Sequence, residues 1–493
     1  MPASLGIIDA FVLCAAVLLS IVIGLRFRGK NNSLEAYLLG DRNLPWWAIL
    51  GSIVATETST ATVLSVPGHG YGDTGFKFLQ LALGFIVGRV FVVLFLLPRY
   101  FDGKLMSAYE VLGVRFGVNS KRGASILFLV TRNLGDGLRL FLAAMVLEKL
   151  AGWPLVWSAI AVGGITVLYT FFGGMRSVVW NDCVQFIIYM AGSLAAVVVI
   201  LCNLPNGWQT FSEFASEHHR WTMFDWGFSI SNPYNIWAGL IGGAALSLGS
   251  HGTDQMMVQR YLSARSQPDA ARAIVLSGLV VFAQFALFLL IGMMLACYYS
   301  SQGNLPPVKN DEIFAHFMIH SFPRNTGLIG LMLAAILAAA MSTLSSSLSA
   351  SASAAVNDLW LPVCRKQPEP DRLVKITRWL TAAFGCLQIA IGIWASTFNE
   401  SVVANALTIA GFSSGLLLGL FALALFSERT NERSALGGAI VGAIVLSSIQ
   451  FLLPHYGWKI AFPWLPAIGA MTTFMTGCFL SYFTSSTTTK ARL

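Results

Sequence analysis

Long apolar segments separated by short polar ones run along almost the whole sequence. A helix needs about 20 apolar residues to cross a lipid bilayer, and thirteen segments are near that length. We number them spans zero to twelve, and they cover residues 6–25, 45–70, 76–98, 123–147, 155–173, 178–202, 236–252, 273–299, 325–355, 376–397, 402–426, 435–454 and 463–483. The pattern predicts an all-α, multi-pass membrane protein with about thirteen transmembrane helices, located in a bacterial inner membrane or a plasma membrane.

The composition excludes several classes of protein. Of the 493 residues, 56% are hydrophobic and only 11% are charged, whereas soluble domains carry about 25% charged residues. A soluble enzyme, a disordered scaffold and a nucleic-acid binder are therefore excluded as main interpretations. The 7 cysteines are scattered, the 7 histidines lack the spacing of a metal site, and the sequence has no HExxH or GxSxG motif, so we expect no enzyme.

The positive charges indicate how the spans are oriented. With the N-terminus outside and the C-terminus inside, 22 of the 31 Lys and Arg residues fall in cytoplasmic loops, 6 in outer loops and 3 within spans. Arg260, which follows span six, is counted among the cytoplasmic residues. Cytoplasmic loops of membrane proteins carry such an excess of Lys and Arg. The net charge of +8 therefore reflects how the chain is oriented in the membrane.

Six ionisable residues fall within the predicted spans. At membrane depth each costs about 2.5 kcal/mol or more, so it is a functional candidate by default. The alternative is a structural ion pair, since i,i+3 and i,i+4 neighbours on one helix can pair. The six are Glu57 in span one, Arg89 in span two, Arg132, Asp136 and Arg139 in span three, and Asp182 in span five.

Spans one and eight carry an unusual number of hydroxyl groups. Span one has seven Ser and Thr residues between positions 52 and 65, a run that favours a broken helix, and Pro67-Gly68 predicts a second break. In span eight, one helical face carries Ser342, Ser345, Ser346, Ser349 and Ser353. A seam of small residues between packed helices is the alternative. Sodium explains both spans, because hydroxyls and free carbonyls can replace its water shell.

Five motifs resemble those of the sodium:solute symporter family, which includes sodium-coupled sugar, sialic acid and proline carriers. They lie at residues 44–68 (LPWWAI, ATETS and VPG), 107–117, 173–185, 253–262 and 339–348. The resemblance rests on their joint order and spacing and covers about residues 6–480. It implies a single transporter domain over 1–493 with a LeuT-type 5+5 inverted repeat, 45–202 and 236–426, and additional helices at 6–25, 435–454 and 463–483. Spans one and six would be broken, and Gly239, Gly242, Gly243 and Gly249 are compatible with a break in span six. Close packing of helices at these glycines is the alternative.

The resemblance also implies two sodium sites. The common site would use backbone carbonyls of Ala55, Thr58 and Ala339 and the hydroxyls of Ser342 and Thr343. The ligands of a second sodium would be Asp182, Ser345 and Ser346, and Ser342 could serve both sites. We therefore expect two coupling sodium ions.

The same resemblance guides the choice of substrate residues. The sialic acid pattern implies hydroxyl donors at Ser59 and Thr62; its glutamine lies two positions from Gln80, and Gly135 stands where it has an arginine. Glu57 stands where proline carriers are acidic, or it pairs with Arg89 or Arg139 and leaves a neutral cavity suited to sugars. We expect the cavity to be lined by Thr56, Glu57, Ser59, Thr62, Gln80, Asp136, Arg139, Asn405, Thr408 and Ser413.

The predicted function is sodium-coupled import, by alternating access, of a small polar organic solute such as a sugar, sugar acid, amino acid or carboxylate. The alternatives are a proton-coupled carrier that uses Glu57 or Asp136, and a sodium-coupled transporter of a small inorganic or monocarboxylate anion. A channel and a membrane enzyme fit the sequence less well. The expected partners are the solute, sodium ions and the lipid bilayer.

Overall fold

A computed structural model describes residues 5–27, 33–103, 105–303, 306, 308–366, 368–398 and 400–484, apart from the side chains of residues 150, 400–407, 409 and 410. Within these ranges the fold is helical, and the one strand-like feature is a bridge between Leu44 and Ala264. The α-helices are α1 (Ile7–Arg26), α2 (Leu34–Leu39), α3 (Trp46–Glu57), α4 (Thr60–Tyr71), α5 (Leu79–Phe91), α6 (Leu97–Phe101), α7 (Glu110–Arg115), α8 (Val118–Ala151), α9 (Leu155–Cys202), α10 (Trp208–Glu217), α11 (Gly243–Gly252), α12 (Gln255–Leu262), α13 (Gln267–Ser301), α14 (Ile313–Ser321), α15 (Leu328–Ala354), α16 (Pro370–Ala395), α17 (Glu400–Phe426), α18 (Glu432–Phe451) and α19 (Trp464–Ser481).

Many of these helices have the length and apolar composition of transmembrane helices. In the described part of the chain, 7 helices are long and apolar enough to span a bilayer, and the number is 8 if the bent pair α3 and α4 forms one span. The prediction of an all-α membrane protein is confirmed, whereas the count of thirteen spans stays a prediction.

Span one is broken where the sequence predicts a break. Helix α3 ends at Glu57, and the next two residues, Thr58 (φ −83°, ψ 98°) and Ser59 (φ −90°, ψ 169°), are extended. Ser59 then caps α4 by accepting a hydrogen bond from the Thr62 amide at 3.4 Å, and α4 leaves at 68° to α3. Side-chain oxygens thus replace the lost helical bonds. The second predicted break is wrong, because α4 continues through Pro67 to Tyr71.

Span six breaks later than its glycines suggest. The chain forms a π-helical turn over Ala238–Gly242, continues as α11 and leaves helical geometry at Thr253 and Asp254 before α12 begins. Gly239 and Gly243 instead pack closely against the backbone of α5, where a Cβ would lie 2.8 and 2.7 Å from the carbonyl oxygens of Gln80 and Leu81. Gly239 and Gly243 therefore serve helix packing, which is the alternative for these glycines, while the interruption of the span lies at Thr253 and Asp254.

Helix α15 lies at the centre of the molecule. It contacts α1, α3, α8, α9, α12 and α16, and its residues from Met332 to Ala354 are all buried. Helix α9 packs along it and carries spans four and five, which are separated by a kink at Gly174 (φ 63°, ψ −164°). The hydroxyl face of span eight is therefore held inside the protein, away from lipid.

Replacing Gly292 with alanine should destabilise the fold strongly. A Cβ on this α13 residue would overlap the Pro67 carbonyl of α4, which is rigid backbone. Overpacking of this kind costs about 3 kcal/mol at the upper end of the usual range. Thermal unfolding in detergent measures the effect. Gly164→Ala on α9 is the matched control, because a Cβ there meets no heavy atom within 4 Å. Equal stability of the two variants would contradict the close packing of α13 against α4 at this position.

Candidate functional site

The end of α3 meets the middle of α15. The Thr343 hydroxyl lies 3.2 Å from the carbonyl oxygen of Thr56 and 3.2 Å from that of Ala339. The Thr60 hydroxyl, just after the break, lies 3.4 Å from the Ile336 carbonyl oxygen. Carbonyls in the last turn of a helix lack intrahelical partners, so this junction concentrates oxygen atoms that can bind a cation.

The structure places the ligands predicted for the common sodium site on these two helices and at the break. None of the predicted ligands of either site is exposed, and the buried set is Ala55, Thr58, Asp182, Ala339, Ser342, Thr343, Ser345 and Ser346. Thr58 is held in place because its hydroxyl donates to the Val54 carbonyl at 2.9 Å and accepts from the Gln284 amide at 2.7 Å. The residues fit a sodium ion, which prefers neutral oxygen ligands with little added charge.

Asp182 on α9 gathers a second set of oxygens. Its Oδ1 atom accepts from the Ser342 hydroxyl at 2.7 Å, and its Oδ2 atom accepts from Ser52 at 2.5 Å and from Thr56 at 3.3 Å. The Thr56 and Ser346 hydroxyls are 3.0 Å apart. Of the predicted second-site ligands, Ser345 donates to the Ser342 carbonyl of its own helix at 3.1 Å.

A guanidinium group lies in the middle of this second set. Arg260 of α12 is buried, its Nη2 atom is 3.1 Å from Asp182 Oδ2, and its Nε atom donates to Ser52 at 2.8 Å. The same Nη2 atom also donates to Thr56 and Ser346. The sequence-based assignment of Arg260 to a cytoplasmic loop is therefore wrong, because the chain forms a further helix after the break in span six.

Another charged cluster lies beside the break in span one. Arg89 of α5 is fully buried and pairs with Glu57, and His251 lies 3.1 Å from the Arg89 Nη2 atom and 3.6 Å from Glu57. The structure thus selects Arg89, from the two arginines considered, as the partner of Glu57. The carboxylate at the end of α3 is therefore paired.

A cavity of about 500 Å³ lies between α8, α11, α17 and α19. Its polar lining includes Arg132, Arg139, Asp254, Thr408 and Ser413, beside apolar residues such as Phe128 and Phe412. The charges there are paired: Asp136 lies 3.7 Å from Arg132 and also pairs with Arg139, while Asp254 pairs with Arg132. Asp254 also caps α12 by accepting a hydrogen bond from the Met256 amide at 2.8 Å.

The predicted substrate residues are divided among several places. Arg139, Thr408 and Ser413 line the large cavity, and Arg139 also lines a small pocket together with Ser59 and Thr343. Gln80 lies elsewhere: its amide donates to the carbonyls of Lys77 and Tyr234, both at 3.0 Å, and so holds an outer loop. Thr56 belongs to the Asp182 cluster, Glu57 to the Arg89 cluster, and Thr62 to the α4 cap. The Asn405 side chain lies outside the described part of the structure.

Two residues of this region were missed as site candidates. Arg260 was missed because it follows a span and was counted with the loops, and His251 because the histidines of the sequence lack the spacing of a metal site. The available signal was charge: a carboxylate at membrane depth, such as Asp182 or Glu57, requires a cation or donor nearby.

The chain is similar to known transporters along most of its length. The sequence model of the sodium:solute symporter family matches residues 37–442. A sodium/sialic acid symporter of Proteus mirabilis is 27% identical, with 96% of this chain and 94% of the relative covered. The human sodium/iodide cotransporter is 28% identical, with 89% of this chain and 68% of the relative covered.

A solved structure has the same fold. The substrate-bound, outward-open state of a Na⁺-coupled sialic acid symporter superposes with a TM-score of 0.88 at 24% sequence identity. The comparison covers 97% of this chain and 98% of the other chain. The relatives named here are transporters, and none of them is described as an enzyme.

Proposed function

Because this chain belongs to the sodium:solute symporter family, sodium is its coupling ion, and we propose that it imports a small polar organic solute by alternating access. The observation that supports the proposal is the small pocket shared by Ser59, Arg139 and Thr343. Thr343 belongs to the proposed common sodium site, and Arg139 also lines the large cavity. Arg139 thus lies beside both a proposed ion ligand and the large cavity.

Sodium would act by ordering the junction of α3 and α15. An ion bound by carbonyls of Ala55, Thr58 and Ala339 and by hydroxyls of Ser342 and Thr343 would hold the end of α3 against α15. That contact would fix Ser59 at the start of α4, where Ser59 and Arg139 together line the small pocket. Binding of sodium and of solute must then assist each other, because such coupling is reciprocal.

The membrane potential and the sodium gradient supply the energy. One charge that crosses 100 mV yields about 2.3 kcal/mol, and a tenfold concentration gradient adds about 1.4 kcal/mol for each ion. Two ions would therefore supply roughly 7 kcal/mol, enough for about a 10⁵-fold solute gradient. The second ion remains a prediction from the resemblance.

The described part of the cavity favours a neutral or zwitterionic solute. Its two arginines are balanced by Asp136 and Asp254. Asp136 itself is fully buried and acts on the cavity through its pairs with Arg132 and Arg139. Sugars and amino acids fit this pattern better than inorganic or monocarboxylate anions.

The architecture proposed for transport is an inverted repeat. Repeat one covers residues 45–202, repeat two covers 236–426, and 6–25, 435–454 and 463–483 add helices outside the repeat. Its support is that the first span of each repeat is interrupted, at Thr58–Ser59 and at Thr253–Asp254. Interrupted helices at matching positions of two halves are the usual location of transporter binding sites. The excess of positive charge in alternate loops supports an outer N-terminus and an inner C-terminus.

Uptake in proteoliposomes should stop when sodium is replaced by choline. The probe is the solute that gives the largest sodium-dependent thermal shift in a screen of sugars, sugar acids, amino acids and monocarboxylates. We expect at least a tenfold loss of uptake at constant pH, and an inward current when a neutral solute enters with sodium. Uptake that persists in choline would contradict the proposal and favour proton coupling. That alternative has less support, because its two candidate proton sites, Glu57 and Asp136, are both paired with arginine.

A further inference from the structure

The contact between Arg260 and Asp182 bears on how the carrier, once it has released sodium and solute, returns to its outward-facing state. Both side chains are almost fully buried, with exposed fractions of 1% and 0%. The Arg260 guanidinium contacts the carboxylate and the hydroxyls of Ser52, Thr56 and Ser346. A positive group therefore occupies the space among the oxygens of Asp182 and Ser346, which are predicted ligands of a second sodium.

Arg260 and a sodium ion would compete for the Ser346 hydroxyl and for the negative charge of Asp182. Two cations in one buried site repel each other strongly, and arginine keeps its positive charge at every physiological pH. Binding of sodium at Asp182 therefore favours departure of the guanidinium.

We propose that Arg260 is a tethered counter-cation that alternates with the second sodium ion at Asp182. When sodium is bound, the guanidinium is displaced; when sodium has left to the inside, the guanidinium returns to the carboxylate. Asp182 is then never left as a bare charge in the protein interior, which would cost several kcal/mol. The empty carrier can reorient only because its ion site has been neutralised from within.

The position of Arg260 in the chain suits this role. It lies on α12, a separate helix of 8 residues that follows the interruption at Thr253 and the extended residue Asp254 (φ −84°, ψ 123°). Asp182 lies on α9 and its hydroxyl partners lie on α3 and α15. The cation and its anion thus belong to different segments of the molecule, and a shift of α12 changes their separation.

The inference rests on the proposed function, since it assumes that sodium drives a transport cycle. A cycle has a loaded step and an empty return step, and the two can be measured separately. Exchange with sodium and solute at saturating concentrations on both sides uses loaded carriers alone, whereas net uptake also requires the empty return. A residue needed for the empty state alone will therefore affect net uptake much more than exchange.

The test compares Arg260→Gln with wild-type protein in proteoliposomes, with the solute found in the screen as the probe. We expect net uptake to fall about tenfold or more and exchange to fall less than about threefold. Sodium binding to the purified protein is measured by thermal shift, with sodium chloride compared with choline chloride. The sodium concentration that gives half of the maximal shift should fall at least about threefold, because the competing cation is gone.

Two further variants separate this role from a purely structural one. The double variant Asp182→Asn with Arg260→Gln should recover net uptake relative to R260Q, because no charge is left to neutralise, and Arg260→Lys should retain much of it. A protein with R260Q that folds only in sodium also supports the proposal. An equal loss of exchange and net uptake, an unchanged sodium dependence, or misfolding that sodium does not relieve would overturn it.

The outcome also separates this inference from the function on which it rests. Wild-type protein that shows no sodium-dependent uptake would remove both. Sodium-dependent uptake in wild type, together with R260Q protein that keeps the wild-type ratio of net uptake to exchange, would remove the role of Arg260 alone.

Discussion

Replacing Thr343 with alanine should raise the sodium concentration that half-saturates uptake by about tenfold or more, which corresponds to about 1.4 kcal/mol of ion binding. The Thr343 hydroxyl faces the last turn of α3, 3.2 Å from the Thr56 carbonyl oxygen, and its loss removes a ligand that the protein cannot replace with water at this depth. Sodium titration of uptake in proteoliposomes measures the effect. Thr343 tests the common site more cleanly than Ser342, whose hydroxyl also donates to Asp182.

Two variants on the same helix serve as controls for this result. Thr343→Ser keeps the hydroxyl and should retain most of the sodium affinity. Ser351→Ala removes a buried hydroxyl that accepts a bond from Asn133 at 3.2 Å, which should cost about 1 kcal/mol of stability while the sodium dependence stays unchanged. A wild-type sodium titration in Thr343→Ala would mean that the common site does not use this residue.

Replacing Glu57 with glutamine should destabilise the protein by about 3–5 kcal/mol, because the change leaves a buried arginine without its counter-charge. Arg89 has no exposed surface, and its Nε and Nη1 atoms have no hydrogen-bond partner among the described residues. His251 offers no substitute, since a protonated imidazole would add a second positive charge at 3.1 Å. Thermal unfolding of purified protein in detergent measures the loss.

A rescue and a surface control complete this test. The double variant Glu57→Gln with Arg89→Met should regain most of the stability, since no charge remains buried. Glu312→Gln breaks the exposed pair with Lys149, and such pairs contribute less than about 1 kcal/mol. If Glu57→Gln were no more harmful than Glu312→Gln, the cluster at Arg89 would have no structural importance.

The sequence predicts the break in span one better than the break in span six. At Thr58–Ser59 hydroxyl groups compete for backbone bonds and Ser59 caps the next helix, so the break can be predicted. At Thr253–Asp254 a side chain also caps the next helix, but no comparable run of hydroxyl groups marks the place, and α12 is held in the protein by tertiary contacts such as the bond from Gln259 to the Leu38 carbonyl at 2.7 Å. Among the glycines of this span, Gly239 and Gly243 contact α5, whereas Gly242 lies against Pro463 and Gly249 against Ser414. No periodicity in the sequence reveals these contacts.

The sequence predicts which types of residue form the candidate site better than it predicts which of these residues contact each other. The sequence shows that Glu57, Asp136 and Asp182 are costly at membrane depth, but the choice of partner depends on how each helix is rotated. Arg89 and Arg139 are equally plausible for Glu57 until the packing of α5 brings Arg89 next to it. Gln80 illustrates the same limit, since its amide points toward an outer loop instead of the cavity.

The burial of α15 has a consequence for the influence of the surrounding lipid. The helix that carries Ser342 and Thr343 is enclosed by other helices along its central turns, whereas α1 at the perimeter buries only 17% of its apolar window. Acyl-chain length and bilayer thickness act on the perimeter helices first. We therefore expect the affinity of the proposed sodium site to differ little between bilayers of different composition.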